Sequence, residues 1–294
     1  MKPDPRFVKQ PKAFWANVRS LSQELGYTVR GKGQIKVFSI NDIVGGLKAL
    51  KLSVAHVVDA AGKATEFGGL LHDYFAHRAG VLNDFVRPRL MNKERAAKEF
   101  KTLFEKLNPR CPIPMNKQKG KKKGKAYLTG IINMLVEQGI GECPCDFDPR
   151  VLTTITRDGV PVRTLARRVD GAFPSSINPV AIWEVKEYYN TKTFGSRVAD
   201  GVYETLLDGM ELEELFVHEN IEVKHYLMVD DEFTWWECGR SYLCRMIDML
   251  HMGYVDEVLF GYEIIERLPG IAKQWAEIKK KRPAGEGARP KPAV

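Results

Sequence analysis

Two acids and a lysine stand in runs that are otherwise apolar. Asp170 ends the stretch Arg167-Arg168-Val169-Asp170 and leads into Gly171-Ala172-Phe173, while Glu184 and Lys186 lie in Ala181-Ile182-Trp183-Glu184-Val185-Lys186. Side chains alternate along a strand, so Glu184 and Lys186 share one face and Val185 points to the other. A hairpin through the turn-rich Pro174-Ser175-Ser176-Ile177-Asn178-Pro179 brings Asp170 beside them. Phosphodiester hydrolysis needs a nucleophilic hydroxide near neutral pH and neutralisation of the charge that builds on the phosphate. Carboxylates are hard oxygen ligands suited to Mg²⁺, which takes one or two of them and keeps several waters. Asp170 and Glu184 are the candidate metal ligands, with the carbonyl of Val185 as an extra one. Lys186 either positions and deprotonates the attacking water or, staying charged, stabilises the pentacoordinate phosphate; burial and a neighbouring cation would favour the first role. An ion pair between Glu184 and Lys186 on an ordinary strand would use the same residues, but Ile182, Trp183 and Val185 make that strand apolar on both faces.

The elements around this motif follow from periodicity. Leu128, Ile131, Ile132 and Leu135 recur at i, i+3, i+4 and i+7, predicting a helix that ends near Gly139-Ile140-Gly141. Glu137 lies opposite that stripe, toward solvent or a partner. Asp158-Gly159 marks a hairpin turn between Val151 to Thr156 and Val160 to Leu165. Strands are expected over Val169 to Phe173 and Val180 to Tyr189, then a helix of three to four turns from Ser196. A strand from His225 to Val229, a helix from Tyr242 to His251 and a strand from Glu257 to Ile265 complete the order. The crossover helices imply that the later strands run parallel in a mixed central sheet flanked by helices.

Residues 1 to about 110 read as mainly helical, over Phe14 to Leu25, Ile43 to Leu50, Val54 to Ala60 and Phe67 to Val81, with Ser39 or Asn41 and Ser53 as caps. Two short helices joined near Lys51-Leu52-Ser53 could form a DNA-reading helix-turn-helix, although packing for stability alone explains such a pair. Residues 111–127 hold Lys117, Lys119, Lys121, Lys122, Lys123 and Lys125 around Gly120 and Gly124, which predicts an exposed mobile loop, either a solvated linker or a phosphate-gripping arm. After the motif strand come Tyr188, Tyr189, Asn190, Lys192, Thr193 and Arg197, polar, basic and aromatic groups suited to DNA contact. The basic tail, residues 279–294, is expected to be disordered.

Over its 294 residues the chain carries a formal net charge of +8, from 45 basic and 37 acidic side chains, with a pI near 9.1. That balance favours a polyanionic partner. The hydrophobic fraction of 44% describes a globular protein. No run approaches the roughly 18 apolar residues of a membrane span, and Met1-Lys2-Pro3-Asp4-Pro5 is unlike a secretory leader, so a cytoplasmic location without membrane partners is expected. Five cysteines in irregular spacing fit free thiols; Cys111, Cys143 and Cys145 lack a fourth zinc ligand. His72 and His77, five apart, do not share a helix face as metal ligands must.

Taken together, residues 128 to 267 resemble the PD-(D/E)xK nuclease superfamily, which includes most type II restriction endonucleases. The likeness lies in the order of elements and in Asp170 with Glu184-Val185-Lys186; Val169 stands where the name-giving proline would be. The resemblance implies a restriction endonuclease-like core over residues 128–278, with Asp170 and Glu184 as Mg²⁺ ligands, Lys186 as the catalytic lysine and Glu137 as at most a second-metal ligand. It also implies a site-specific endodeoxyribonuclease acting on double-stranded DNA as a homodimer, with a separately encoded methyltransferase as a further partner. A structure-specific repair, recombination or phage-defence nuclease, and a DNA-binding protein with an inactive nuclease-like core, are the alternatives.

Overall fold

The computed structural model describes residues 1–8, 10–29, 33–118, 121–189 and 195–282. Helical spacing in the first part of the chain produces a short turn, α1 (Pro5–Val8), and three helices, α2 (Lys12–Leu25), α3 (Ile40–Ala49) and α4 (Glu66–Gly80). Their apolar stripes, among them Phe14, Val18, Leu21, Leu47, Leu71 and Phe75, are buried against one another. Ser39 caps α3: its hydroxyl accepts from the Asp42 N–H, and the Asp42 carboxylate accepts from the Ser39 N–H. No helix forms over residues 54–60, where one was expected, so no helix-turn-helix is joined near Lys51-Leu52-Ser53. The Ser53 hydroxyl and the Asp59 carboxylate take the N–H groups of Ala55, Ala61 and Lys63, competing with helical bonds.

Next come a π-helical turn, Val81–Val86, a 3-10 turn, Arg87–Arg89, and α5 (Lys93–Leu107). α5 packs on α6 (Tyr127–Ile140), where a Cβ added to Gly130 would lie 2.5 Å from the Phe100 ring. Between them the lysine-rich segment is a hairpin of β1 (Met115–Gln118) and β2 (Lys121–Lys125), not the expected loop. Antiparallel pairing bonds the two segments to each other, and Lys125 lies over the rings of Phe100 and Phe104 at 5.0 and 5.3 Å. A second hairpin, β3 (Thr154–Arg157) and β4 (Val160–Thr164), turns at Asp158-Gly159 with φ of 50° and 80°, as the sequence predicts.

The central sheet is mixed, in the order β5 (Gly171–Phe173), β6 (Ala181–Glu187), β7 (Lys224–Asp230), β8 (Glu257–Phe260). β5 and β6 are antiparallel, and β6, β7 and β8 run parallel. α7 (Ser196–Glu219) and α8 (Arg240–His251) provide the two crossovers, α7 being twice as long as its apolar spacing suggested. β8 stops at Phe260 where a strand to Ile265 was expected. Gly261 takes φ +52°, and Ile264, Leu268, Ile271 and Trp275 are the buried stripe of α9 (Tyr262–Lys281), a helix that a short apolar run does not reveal. α9 includes Lys279–Lys281 of the expected tail, and Arg282 donates to the carbonyls of Pro179 and Glu222; residues 283–294 lie outside the described residues.

Alternation in β6 sets the two layers. Ala181, Trp183 and Val185 face α6 and α9, and Trp183 stacks on Trp275 at 5.4 Å. Ile182, Glu184 and Lys186 face the α7 side. Glu187 caps α6 by accepting from the Thr129 N–H and hydroxyl at 3.1 and 3.0 Å. The N-terminal helices are locked on by fully buried Arg78, which pairs with Asp248 of α8 at 3.0 Å and donates to the Ser22 hydroxyl at 3.1 Å.

Gly171, the residue after Asp170, has no room for a side chain: a Cβ would lie 2.1 Å from the Trp183 ring. Gly171→Ala is expected to cost about 1–3 kcal/mol through forced repacking. Urea unfolding checks this, and an unchanged midpoint would show that the stack of Trp183 on Trp275 yields freely.

Candidate active site

Asp170, Glu184 and Lys186 meet where β5 and β6 begin to separate. The register pairs Gly171 with Trp183, and the Asp170 N–H donates to the Trp183 carbonyl at 3.2 Å, one step past the last strand pair. Its carboxylate then accepts from the Val185 N–H at 2.8 Å, taking the place of a strand partner. The N–H and C=O of one strand residue project to the same edge, so the Val185 carbonyl faces the Asp170 side. Glu184 is fully buried. The Lys186 ammonium donates to it at 2.8 Å and lies 3.4 Å from Glu204 of α7.

Arg167, which the sequence reading did not single out, completes the cluster. Its guanidinium lies 2.9 Å from Glu184, 2.6 Å from buried Asp208 and 3.4 Å from Glu204. On α7, Gly201, Glu204, Thr205 and Asp208 recur at i, i+3, i+4 and i+7, which places a polar stripe toward the sheet. That i, i+3, i+4, i+7 recurrence of small and polar residues was the available signal. Gly201 admits the lysine: a Cβ there would meet the Lys186 chain at 3.0 Å and the Tyr188 hydroxyl at 3.2 Å.

Charge states follow from burial and neighbours. Desolvation, then the Glu184 charge, push the Asp170 carboxyl up to about 6, against the pull of Lys186, although the residue keeps a solvent-facing side. Burial would raise Glu184 and lower Lys186. Their mutual attraction outweighs it, with Arg167 added for the acid and Asp170 for the lysine, so Glu184 lies below and Lys186 above its ordinary value. Lys186 is therefore a charged group, not a free base. Burial lifts Asp208 to about 7 despite its bond to Arg167, with Glu184 adding to the rise. His225 of β7, on the Glu184 face of the sheet, is buried, bonded through Nδ1 to the Tyr254 carbonyl, and its Nε2 has no partner among the described residues.

The donor set suits one Mg²⁺. Two hard carboxylates repel each other, one has a solvent-facing side, and a cation between them would relieve the repulsion. Among the described residues no group of three or more histidines, cysteines or acids is arranged around a metal position, so the protein would supply only Asp170, Glu184 and the Val185 carbonyl. Glu137 accepts from the Arg110 N–H at 3.0 Å and pairs with that side chain, which occupies it elsewhere. Tyr188 packs its ring edge on Trp235 at 5.5 Å beside Lys186. Lys119, Asn190, Lys192 and Thr193 lie outside the described residues. Lys117, Lys121, Lys122 and Lys123 are located by backbone alone in the first hairpin, as is Arg197 in the first turn of α7.

A carboxyl with a raised folded pKa binds a proton in the native state that the unfolded chain has released. Stability from Asp208 is thus present below its ordinary value near 3.8 and lost as pH rises toward about 7. Asp208→Asn is expected to flatten the fall in stability between pH 4 and 7, read from urea midpoints across that range. A slope equal to wild type would mean that Asp208 titrates normally.

Comparison with known proteins adds a family without an activity. Residues 1–85 match the domain of unknown function DUF7690. No curated protein and no solved structure matches the chain. Residues 91–275, which hold the whole cluster from Arg167 to Asp208, match the domain of unknown function DUF7687, and the chain belongs to that family.

Proposed function

We propose that the chain is a Mg²⁺-dependent endodeoxyribonuclease whose core is of the PD-(D/E)xK, restriction endonuclease-like type. The observation that carries the reading is the junction of β5 and β6. There Asp170 is tied to the Val185 peptide at 2.8 Å and Lys186 to Glu184 at 2.8 Å, and desolvation, with the Glu184 charge added, drives Asp170 toward protonation. The strand and helix order from α6 to β8 supports the same reading, as does the +8 charge for a DNA partner. Double-stranded DNA is the proposed substrate, cut by a homodimer with two-fold symmetry matching a palindromic site, in the cytoplasm and alongside a separately encoded methyltransferase. No helix among the described residues is long and apolar enough to cross a membrane.

In this mechanism Asp170, Glu184 and the Val185 carbonyl would hold the ion, which when bound would supply Lewis acidity at the phosphate and a more acidic water. Arg167 fixes the Glu184 carboxylate, and Asp208 and Glu204 fix Arg167. Lys186, kept protonated by Glu184 and Asp170, stabilises charge building on the phosphate and does not accept the proton of the attacking water. One observation favours a second reading, an ion cluster that only holds the sheet to α7: Glu184 already has two cations, Arg167 and Lys186.

Incubation of the full chain with plasmid DNA separates the two. Mg²⁺ is expected to give discrete fragments and EDTA none, with Lys186→Ala and the solvent-facing Asp170→Asn each slowing cleavage by about 100-fold or more. Intact linear, supercoiled and branched DNA under all conditions would leave the structural cluster standing. Progressive shortening or branch-specific cuts would replace site-specific cleavage by an end- or structure-directed nuclease.

Proton competition gives a second check. Below about pH 6 Asp170 is protonated, so the Mg²⁺ concentration for half-maximal cleavage should rise toward tenfold per pH unit. A Mg²⁺ requirement flat from pH 5 to 7 would remove Asp170 from the ligand set.

A further inference from the structure

Between the N-terminal helices and the outer side of α7 lies a cavity of about 490 Å³, within the range of small-ligand pockets. Tyr27, Tyr203, Leu206 and Met249 give it apolar and aromatic lining, and Arg19 and Arg245 give it positive charge. Ser20 and Gln23 add neutral hydrogen-bonding groups.

Arg245 is the unusual member. It is half-buried among three phenol rings, its guanidinium 4.8 Å from the centre of Tyr242, 5.6 Å from Tyr27 and 5.9 Å from Tyr203. Nη1 donates to the Tyr203 hydroxyl and Nε reaches the Tyr27 hydroxyl at 3.4 Å, which among the described residues leaves Nη2 for a ligand. Arg19 touches the Met252 sulfur at 3.3 Å. Neither arginine has an ion-pair partner among the described residues, whereas Arg78, Arg163, Arg167 and Arg267 each pair with an acid. Asp248 also lines the cavity, but both its oxygens accept from Arg78 and one also from Tyr74, so its charge is met from behind.

A half-buried guanidinium held by neutral phenols is short of an anion, and planar arginine and tyrosine surfaces favour a planar ring beside it. We propose that this cavity binds a nucleoside monophosphate unit, its base against Tyr27 and Tyr203 and its phosphate on Arg245 and Arg19. The unit would come as a free mononucleotide or as the 5′-terminal nucleotide of a DNA strand. No residue of the Asp170 cluster takes part, so the proposal does not rest on the nuclease reading.

Calorimetric titration of the full chain in EDTA tests it, with dAMP, dTMP, adenosine, inorganic phosphate and a 5′-phosphorylated trinucleotide as probes. A mononucleotide or the trinucleotide is expected to bind below about 1 mM. Adenosine and phosphate alone should bind at least tenfold more weakly, and Arg19→Gln and Arg245→Gln should each weaken binding about tenfold or more. Binding of mononucleotides identifies the free ligand as the source, and binding of the trinucleotide alone identifies a strand end. No binding by either class, binding of adenosine equal to dAMP, or full affinity in Arg19→Gln would overturn the proposal. Arg19 is exposed, so that variant remains informative even if Arg245→Gln fails to fold.

Discussion

A carboxylate buried at the centre of a sheet must have its charge met, and Glu184 is met from two directions. Lys186 reaches it along the same strand and Arg167 from the loop before β5. Removing either cation would leave a buried charge partly uncompensated, a change worth several kcal/mol in comparable pairs. The pairing also fixes geometry outward. Arg167 engages Asp208 and Glu204, so the buried acid is tied through it to α7.

The rest of the core makes that arrangement rigid. On the opposite face, Trp183 stacks on Trp275 of α9, and the crossing of β6 by α6 is secured by Glu187 at the α6 N-terminus. Small residues occupy the closest approaches. Gly171 lies under the Trp183 ring, and Gly201 lies beside the Lys186 chain. Asp170, just before β5, and Glu184 and Lys186 of β6 are thereby set on a close-packed support.

The helices before residue 85 are fastened to this core through another buried pair, Arg78 with Asp248, and the two pieces enclose the aromatic and arginine-lined cavity. α7 serves both places. Gly201, Glu204 and Asp208 address the cluster, and Tyr203 and Leu206 address the cavity one helix face away. The two family matches, residues 1–85 and 91–275, divide the chain at the π-helical and 3-10 turns between α4 and α5.

Much of this was legible in the residues. Alternation placed Glu184 and Lys186 on one strand face, Asp158-Gly159 gave the second hairpin, Ser39 gave a helix start, and the run of crossovers gave parallel later strands. These are local properties, set by side-chain period and backbone preference. Where side-chain bonds or distant partners competed with the local pattern, the sequence misled. Residues 54–60 lost a helix to side-chain bonds, the lysine segment gained a hairpin backed by Phe100 and Phe104, and residues 262–265 left the sheet for α9. The identity of the two acids and the lysine was written in the chain. Their company was decided only by tertiary packing: Arg167 lies 17 positions before Glu184 and Asp208 lies 24 after it, and neither spacing carries meaning until the burial of Glu184 makes both necessary.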